Sequence, residues 1–493
     1  MIDTISVRNR ILEMAIRGEL SGNCDSEDMR ATLDHILISR DELIKQKKTK
    51  VGKTASIIED VTFELPEAWS WVALGDLCVM ISRGKSPKYS EVKKYPVFAQ
   101  KCNQPTHLAL EKARFLDETT LDKWPEYFRL RDNDIVINST GTGTVGRIGY
   151  YSTETLNDSY PFMLPDSHVT VLRTGDGIVS KYLYYVLKSV TLQSVIEKQL
   201  RGSTNQKELY IESVYGLPIP LPPTATQIQL VTKLDSAFDS LKKIDELQSA
   251  YASDLEVLKS KIIDAGIQGK LTEQLPEDGN AEDLYAAIQK EKESLYTYRK
   301  TRKDNKIKPV EDDVPFVIPN QWKWVRLGDA GLFKKGPFGS ALTKSMFVPK
   351  GNDTVKVYEQ QHAIKKDCSL GTYYIKREYF DEKMNGFEVM PGDIIVSCAG
   401  TIGETYIMPA EIEQGIINQA LMRVTLTSGI NPKFFQYYFD ANLKKSAQEE
   451  SNGSAIKNIP PFDVLKNWYF PLIPYEEQLR IVNCIDATLN AIN

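Results

Sequence analysis

The sequence consists of two similar halves in tandem. Of its 493 residues, the stretch "ILEMAIRGEL" begins at Ile11 and "IIDAGIQGKL" at Ile262, 251 positions later. "LPEAWSWVALGDL" begins at Leu65 and "IPNQWKWVRLGDA" at Ile318. Three further pairs keep the same order at similar spacing: Phe128 of "FRLRDNDIVINSTG" with Phe387 of "FEVMPGDIIVSCAG", Gly202 with Gly453, and Gln227 with Gln478. Such ordered self-similarity indicates a tandem duplication, so both halves must adopt one plan.

Each copy contains a helical segment, a basic linker and a globular region of mixed composition. A Trp-x-Trp pair opens each globular region, short strand-like runs and glycine turns fill it, and "LPIPLPP" or "FPLIP" closes it. We therefore predict an α+β protein with two globular mixed α/β domains. The predicted boundaries are 1–64 for an N-terminal helical segment with a basic linker, 65–223 for the first domain, 224–314 for a helical spacer with a basic linker, 315–474 for the second domain, and 475–493 for a C-terminal helix.

A long helix is predicted after Pro223, because apolar residues recur there at steps of three and four, as in a coiled-coil seam. From Gln227 to Ile262 this helix would extend about 50 Å at ~1.5 Å per residue. The second copy repeats the seam, and the start of the chain supplies the missing end of its helix. We therefore expect a circular repeat with pseudo-two-fold symmetry, in which two long antiparallel helices separate the domains. The predicted seam residues are Leu234, Phe238, Leu241, Leu247, Leu255, Leu258, Ile485 and Leu489.

Composition favours a globular protein outside the membrane. Apolar residues make up 42% of the chain, and no apolar run approaches the ~18 residues needed to span a bilayer. Six scattered cysteines without C-x-x-C spacing fit reduced thiols in a cytoplasm. The net charge is −5, but the stretches from Lys45 to Lys53 and from Arg299 to Lys308 are strongly basic. These stretches fit a solvated linker and a nucleic-acid contact equally well.

The loop "STGTGTVGR" contains the G-x-G-x-x-G pattern of a dinucleotide-binding turn, at Gly141, Gly143 and Gly146. In the second copy it becomes "CAGTIGE", and neither loop leads into a helix whose N-terminus could hold a pyrophosphate. We predict instead a tight turn whose backbone N–H groups and threonine hydroxyls approach a phosphate or a base edge. No metal-ligand spacing and no nucleophile motif occurs in the sequence. A non-catalytic protein is therefore favoured.

The duplicated plan resembles the specificity subunit of type I restriction–modification enzymes. The resemblance covers essentially the whole chain and rests on "WSWVALGD" and "WKWVRLGD", on "KKGPFGSAL" from Lys334, on "GDIIVSCAGTIGE", and on the "P-x-x-x-Q" helix starts at Gln227 and Gln478. The "GIQGKL" helix end matches the central helical region of that family. The first copy departs from the pattern, with "SRGKSPKYS" in place of "GPFGS", which implies that the two domains read different sequences.

The resemblance implies a prokaryotic, cytoplasmic DNA reader that is not itself an enzyme. Each globular region would be a target-recognition domain for one half of an asymmetric bipartite site in double-stranded DNA. The helices would set the spacing and dock two methyltransferase subunits, which methylate adenine N6, and motor–nuclease subunits would join them. S-adenosylmethionine, Mg²⁺ and ATP would belong to these partners, with no cofactor or metal in this chain. Two alternatives stay open: a coiled-coil scaffold that never contacts DNA, and a self-contained enzyme that uses the glycine loop.

Candidate DNA-binding residues are side chains with paired donors and acceptors on corresponding loops of the two copies. In the first domain they are Lys85, Ser86, Lys88, Tyr89, Gln100, Lys101, Asn103, Gln104, Thr140, Thr142, Thr144, Arg201, Thr204, Asn205, Gln206 and Lys207. In the second domain they are Lys334, Lys335, Phe338, Ser340, Tyr358, Gln360, Gln361, Thr401, Asn418, Gln419, Asn452, Ser454 and Lys457. The four Trp-x-Trp tryptophans (Trp69, Trp71, Trp322 and Trp324) are expected to pack on the helical stalk rather than to stack on bases.

Overall fold

The protein is described here from a computed structural model. The structure describes residues 1–22, 29–49, 56–60, 63–156, 159–202, 207–299, 301, 303, 307–399, 401–450 and 459–492. Its contacts divide the chain into two units, Met1–Ala250 and Tyr251–Asn493. Each unit holds one globular domain together with helices that flank it in sequence.

Helices and strands alternate irregularly along the chain, as expected of an α+β protein. The helices are α1 (Thr4–Ile16), α2 (Met29–Lys45), α3 (Ser180–Lys188), α4 (Val190–Lys198), α5 (Ile211–Tyr215), α6 (Thr224–Ile267), α7 (Ala281–Tyr298), α8 (Gln360–Lys365), α9 (Arg377–Tyr379), α10 (Pro432–Glu450), α11 (Phe462–Leu465) and α12 (Tyr475–Ile492). The strands of the first unit are β1 (Ser70–Ala73), β2 (Cys78–Arg83), β3 (Tyr89–Ser90), β4 (Pro96–Phe98), β5 (Arg114–Leu116), β6 (Ile135–Asn138), β7 (Ile148–Tyr150), β8 (Leu164–Pro165), β9 (Val169–Thr174) and β10 (Pro218–Leu221). Those of the second unit are β11 (Lys323–Arg326), β12 (Gly331–Lys335), β13 (Thr354–Tyr358), β14 (Tyr374–Lys376), β15 (Glu388–Val389), β16 (Ile394–Ser397), β17 (Thr405–Ile407), β18 (Gly415–Ile417), β19 (Leu421–Leu426) and β20 (Tyr469–Leu472).

The first globular domain contains two four-stranded sheets and a short ribbon. One sheet is antiparallel, with the order β2-β9-β6-β7, and the other has the order β3-β5-β4-β8, in which β4 and β8 run parallel. The ribbon pairs the strand that opens the domain with the strand that closes it, β1 with β10, placing Ser70 opposite Leu221. The chain therefore enters and leaves the domain at adjacent points.

The second domain repeats the antiparallel sheet and the ribbon, while its other sheet differs in one edge strand: β15 pairs with β18, whereas in the first domain β3 pairs with β5. Its sheets have the orders β12-β19-β16-β17 and β14-β13-β18-β15, with β13 and β18 parallel, and its ribbon pairs β11 with β20. The central strands β6 and β16 are buried along their whole length, with all four residues of each enclosed. The sequence duplication is thus a duplication of fold.

In the first unit, α1 packs antiparallel against the first part of α6. The Thr4 hydroxyl donates to the Asp245 carboxylate over 2.5 Å, and the Arg8 guanidinium lies 4.8 Å from the ring centre of Phe238. Leu12 joins Leu234 in the main core of this unit. The N-terminal helix therefore packs along the first part of α6.

In the second unit, α12 packs antiparallel against the last part of α6. Ile485 lies against Gly266, where an added Cβ would come within 2.6 Å of the Ile485 side chain. Glu477, fully buried near the start of α12, accepts hydrogen bonds from the Thr272 hydroxyl and the Gln274 amide. This packing uses the close approach that glycine allows between two helices.

The predicted seam residues are buried near the two ends of α6 and exposed near its middle. Leu234, Leu241 and Ile485 are buried, whereas Leu247 is 69% exposed and Leu258 is 45% exposed. In the first unit α1 begins at Thr4, opposite Asp245, so the described residues of that unit offer no facing helix beyond this level. Of the remaining seam residues, Phe238 and Leu489 pack against their cores, and Leu255 is half-buried.

Trp69 and Trp322 pack against the stalk helices, as predicted, whereas Trp71 and Trp324 contact aromatic residues of the segments before the domains. Trp69 belongs to the main core of the first unit together with residues of α1. Trp322 donates its indole N–H to the buried Glu477 carboxylate over 2.8 Å. Trp71 and Trp324 make edge-on contacts with Phe63 and Phe316, at ring distances of 5.0 and 4.8 Å.

In each unit, a basic side chain of the segment before the domain donates a hydrogen bond to a backbone carbonyl at corresponding positions of the two domains. In the first unit the Arg40 guanidinium donates to the carbonyl of Gly75 over 3.0 Å, and in the second Lys292 donates to that of Gly328 over 2.6 Å. Arg299, the first residue of the second basic stretch, is buried and donates to the Asp393 carboxylate over 2.7 Å. The start of this basic stretch is therefore part of the domain core and not a solvated linker.

Candidate nucleic-acid interface

The glycine loop of the first domain is a hairpin turn between β6 and β7. Gly141, Gly143 and Gly146 all adopt positive φ, at 114°, 71° and 82°, a region that side chains disfavour. The N–H groups of Thr144 and Val145 donate to the carbonyl of Gly141. Because β7 follows directly, no helix opens at the third glycine, in agreement with the predicted tight turn. A dinucleotide-binding geometry is absent from this loop.

Loops that are distant in sequence converge around this turn. The Asn138 amide donates to the carbonyl of Gln100 over 3.2 Å and accepts from the Asn103 amide over 3.1 Å. On the other side, the Thr140 hydroxyl lies 2.7 Å from His168 Nδ1. The predicted loops around residues 100 and 140 are therefore neighbours, and the loop that carries His168 joins them.

The loop after β2 crosses the same region. Lys85 forms a parallel backbone bridge with Asp166, and the hydroxyls of Ser86 and Ser167 are 3.2 Å apart. The loop at the end of α4 reaches it too, because Thr140 forms a bridge with Glu208. We name these converging loops the first loop cluster, defined as residues 83–89, 100–104, 139–147, 166–168 and 201–208 without the part that lies outside the described residues.

Two predicted cations of this cluster, Lys85 and Lys88, have protein partners. Lys88 forms a 2.8 Å ion pair with Asp117 and, with Thr119, holds the pKa of that carboxyl at about 2. Lys85 donates to the carbonyl of Lys123 over 2.6 Å. Both lysines thus have protein partners near the surface, and a DNA phosphate would compete with these partners for them.

The remaining candidates of the first domain have simple placements. Tyr89 is half-buried with the Arg114 guanidinium 3.6 Å above its ring, and the Gln104 amide donates to the carbonyl of Lys101 over 2.6 Å. Arg201, exposed like Lys207, exchanges backbone hydrogen bonds with Glu208. Thr142 is exposed on the hairpin turn and Thr144 is half-buried there. Thr204, Asn205 and Gln206 lie outside the described residues.

The second domain gathers its corresponding loops in the same way. The Gln360 amide donates to the carbonyl of Ala399, and the Asn418 N–H donates to the carbonyl of Tyr358 over 3.0 Å. The N–H of Gly336 donates to the carbonyl of Leu421 over 2.9 Å. We name this group the second loop cluster, defined as the described residues among 334–340, 358–361, 398–404 and 418–421.

Exposed side chains dominate the outer part of the second loop cluster. Phe338 is 89% exposed at the tip of its loop, flanked by the exposed Lys335 and Ser340. Lys334 lies over the Phe387 ring at 4.7 Å, and the Gln361 amide donates to Glu359 over 3.0 Å. Gln419 and Thr401 are also exposed. Asn452, Ser454 and Lys457 lie outside the described residues.

For two residues the prediction of DNA contact is wrong, because their side chains are buried. Asn103 is fully enclosed, because its amide is used to tie the loop at residue 100 to the hairpin turn. Tyr358 is fully enclosed as well, with its hydroxyl donating to the carbonyl of Glu413 over 2.6 Å, and burial raises its pKa. Both side chains support the clusters from inside and do not face a ligand.

Sequence reasoning missed two parts of the first loop cluster. Arg83 donates to the Glu208 carboxylate and to the carbonyl of Leu209, tying β2 to the loop after α4. The turn from Asp166 to His168 stands where the candidates Asn418 and Gln419 stand in the second domain, 252 positions later. The repeat spacing could therefore have found this turn.

Across the described part of the chain, no group of three or more histidine, cysteine, aspartate or glutamate side chains is placed to hold a metal ion. Nor does any described helix have the length and apolar character needed to cross a membrane.

Comparison with known proteins identifies the family. The profile of the "Type I restriction modification DNA specificity domain" matches the chain twice, at residues 66–249 and 319–493. These two matches follow the duplication and cover most of the sequence. The chain belongs to the type I restriction–modification DNA specificity family, a class of non-catalytic specificity subunits.

Individual relatives agree over nearly their whole lengths. The chain is 26% identical to the type I restriction enzyme EcoAI specificity subunit of Escherichia coli, with 99% of this chain and 89% of the relative covered. It is 23% identical to the EcoEI specificity subunit of the same species, covering 97% and 88%. A solved chain from a study of complex assembly and conformational transition of the type I R-M system has a TM-score of 0.56 at 16% identity, covering 87% and 92%. That likeness supports the fold.

Proposed function

We propose that the two loop clusters read the two halves of a bipartite sequence in double-stranded DNA, one half per domain. The observation that carries this proposal is that the clusters rest on one duplicated backbone while their exposed side chains differ. The exposed Ser86 and His168 stand in the first cluster where the exposed Phe338 and the half-buried Ala420 stand in the second. A common frame with different surface groups suits a reader of an asymmetric site.

The exposed groups match the chemistry of base recognition. The amide of Gln419 and the hydroxyls of Ser86 and Thr142 can donate and accept at base edges in the major groove. Lysines on the same loops suit phosphate oxygens, which fix position without reading sequence. The chain has a net charge of −5, so its DNA grip would depend on these local cations and on partner subunits.

Membership of the family supports a proposal for the partners. Two methyltransferase subunits would dock on the stalk helices α1, α6 and α12, and motor–nuclease subunits would join this complex. S-adenosylmethionine, Mg²⁺ and ATP would act in those subunits, while this chain supplies sequence choice alone. Such a complex would work in the prokaryotic cytoplasm, where its DNA is. The proposed domain limits remain 65–223 and 315–474.

A map of methylated adenines tests the proposal. The chain would be expressed with its neighbouring methyltransferase subunit, and a matched strain would lack only this chain. The expected result is a two-block methylated motif with a fixed gap, present only with the chain. Unchanged methylation, with the methyltransferase shown to be active, would overturn the proposal and favour the coiled-coil scaffold. Gel-shift assays of the purified complex would then show no dependence on sequence.

A further inference from the structure

One turn is built identically in both domains, although its sequence differs. In the first domain it connects β8 to β9 over Asp166–Val169, and in the second it connects β18 to β19 over Asn418–Leu421. In the first turn five hydrogen bonds fix the backbone: Asp166 N to Phe98 O at 3.0 Å, His168 N to Asp166 Oδ1 at 2.8 Å, Val169 N to Asp166 O at 3.2 Å, Ser139 N to His168 O at 2.8 Å, and Gly84 N to Val169 O at 3.0 Å.

The second turn has the same five bonds at the corresponding atoms. They are Asn418 N to Tyr358 O at 3.0 Å, Ala420 N to Asn418 Oδ1 at 3.0 Å, Leu421 N to Asn418 O at 3.2 Å, Cys398 N to Ala420 O at 2.8 Å, and Gly336 N to Leu421 O at 2.9 Å. Corresponding distances differ by at most 0.2 Å. The first residue of each turn is thus an Asx cap, whose side-chain oxygen holds the turn and does not face outward.

A glycine crosses each turn at a distance that admits no side chain. A Cβ on Gly84 would lie 2.1 Å from the carbonyl oxygen of Pro165, and one on Gly336 would lie 1.8 Å from that of Asn418. Both obstacles are backbone atoms, which cannot rotate away. The loop after β2 or β12 is therefore held against its turn, within the loop cluster of its domain.

The two residues after each Asx cap differ between the domains. In the first domain they are Ser167, half-buried, and His168, exposed, and in the second they are Gln419, exposed, and Ala420, half-buried. Their backbone is fixed by the shared bonds, so side-chain identity can change without moving the loops. His168 is also oriented by its 2.7 Å contact with the Thr140 hydroxyl.

We propose that positions 167–168 and 419–420 are matched specificity-determining positions, which select bases at equivalent points of the two half-sites. This inference rests on the proposed function. The Gln419 amide offers the donor and acceptor pair that suits adenine, and the Ala420 methyl suits the thymine methyl group. Ser167 and His168 offer a hydroxyl and a ring nitrogen instead. Each half-site would thus differ at the bases that this turn faces.

Exchanging the two pairs tests the proposal. One variant carries Ser167→Gln with His168→Ala, and the reciprocal variant carries Gln419→Ser with Ala420→His. Each chain, in complex with its methyltransferase partner, selects from duplexes randomised in both half-sites. We expect the preference of the first variant to change about ten- to hundredfold at one or two adjacent base pairs of one half-site, with the other half-site unchanged. The reciprocal variant should change only the opposite half-site.

The control is Glu154→Gln, an exposed change at the far end of the β6–β7 hairpin from the glycine loop, which should select the wild-type sequence. Wild-type preferences in both exchange variants would overturn the proposal. So would a loss of binding to every sequence while assembly with the methyltransferase and thermal stability stay unchanged, because these positions should alter local readout alone. If the wild-type complex itself selects no sequence, the proposed function fails, and that result is separable from failure at these positions.

Discussion

A single buried glutamine anchors each recognition domain to the start of its stalk helix. On α12, Gln478 is fully buried, accepts from the N–H of Asn431 over 2.7 Å, and donates to the carbonyls of Gly429 and Ile473 over 2.9 and 2.7 Å. On α6, Gln227 makes two such bonds, accepting from Val179 N–H over 2.8 Å and donating to the carbonyl of Pro222 over 3.0 Å.

Replacing either glutamine by methionine keeps the volume and removes the bonds. A buried polar group left without a partner costs about 1–3 kcal/mol. Gln478→Met abandons three groups, so at the low end it should cost about 3 kcal/mol, against about 2 kcal/mol for the two groups at Gln227→Met. At ~1.4 kcal/mol per factor of ten, 3 kcal/mol corresponds to roughly a hundredfold more frequent local opening.

Hydrogen exchange followed by mass spectrometry measures this opening locally, which matters because a two-unit chain need not unfold in one step. Peptides that contain Asn431 should exchange faster in Gln478→Met, and peptides that contain Val179 faster in Gln227→Met. The matched control is Gln229→Met, an exposed change two residues along α6 that should leave both regions unaltered.

Unchanged exchange at Asn431 in Gln478→Met would refute the reasoning, since it would mean that these three bonds contribute nothing net to holding the domain. A larger effect at Gln227 than at Gln478 would refute the ranking by number of bonds. Either result would indicate that apolar contacts of the helix, and not the glutamine hydrogen bonds, hold the domain to it.

Two further predictions concern charge. Arg173 binds the buried Asp134 carboxylate through two hydrogen bonds of 2.8 and 2.6 Å. Arg173→Met should therefore lower the free energy of unfolding in urea by about 3–5 kcal/mol, and adding Asp134→Asn should restore part of that stability. A double variant no more stable than Arg173→Met would contradict the pairing. The Arg480 guanidinium holds the pKa of Asp278 below its usual value, so this pair should stabilise the fold fully above the unfolded-state pKa of ~3.9 and lose that effect as pH falls through the folded pKa. The stability difference between wild type and Arg480→Met should therefore shrink on acidification, as thermal melts across pH would measure, and a difference that grows would contradict it.

Much of the fold could be predicted because the two copies of the repeat can be compared with each other. The second copy of the glycine loop lacks the middle glycine, which argued against a cofactor site, and the structure has a hairpin turn there. Helix spacing predicted the stalk, although the exposed Leu247 and Leu258 show that periodicity finds a face without saying how much of it is covered.

The site could be predicted as loops and less well as residues. Asn103 and Tyr358 have the composition of contact residues, and only their tertiary hydrogen bonds reveal that they are buried. Arg299 lies in a run that looks solvated, yet its partner Asp393 is 94 positions away, a distance over which spacing carries no signal. The Asp166 turn lacks any local motif and becomes visible only through its counterpart.

The paired opening and closing strands have an evolutionary consequence. Corresponding residues of the two domains are 253 positions apart at Trp71 and Trp324, 259 apart at Asp134 and Asp393, and 251 apart at Pro220 and Pro471. Insertions and deletions have thus accumulated inside the domains and cancelled before the exit. The chain enters and leaves each domain through one two-stranded ribbon. Changes of loop length inside a domain therefore leave the start of the following helix in place. New DNA-reading loops can then arise without a change in the helices that set the spacing.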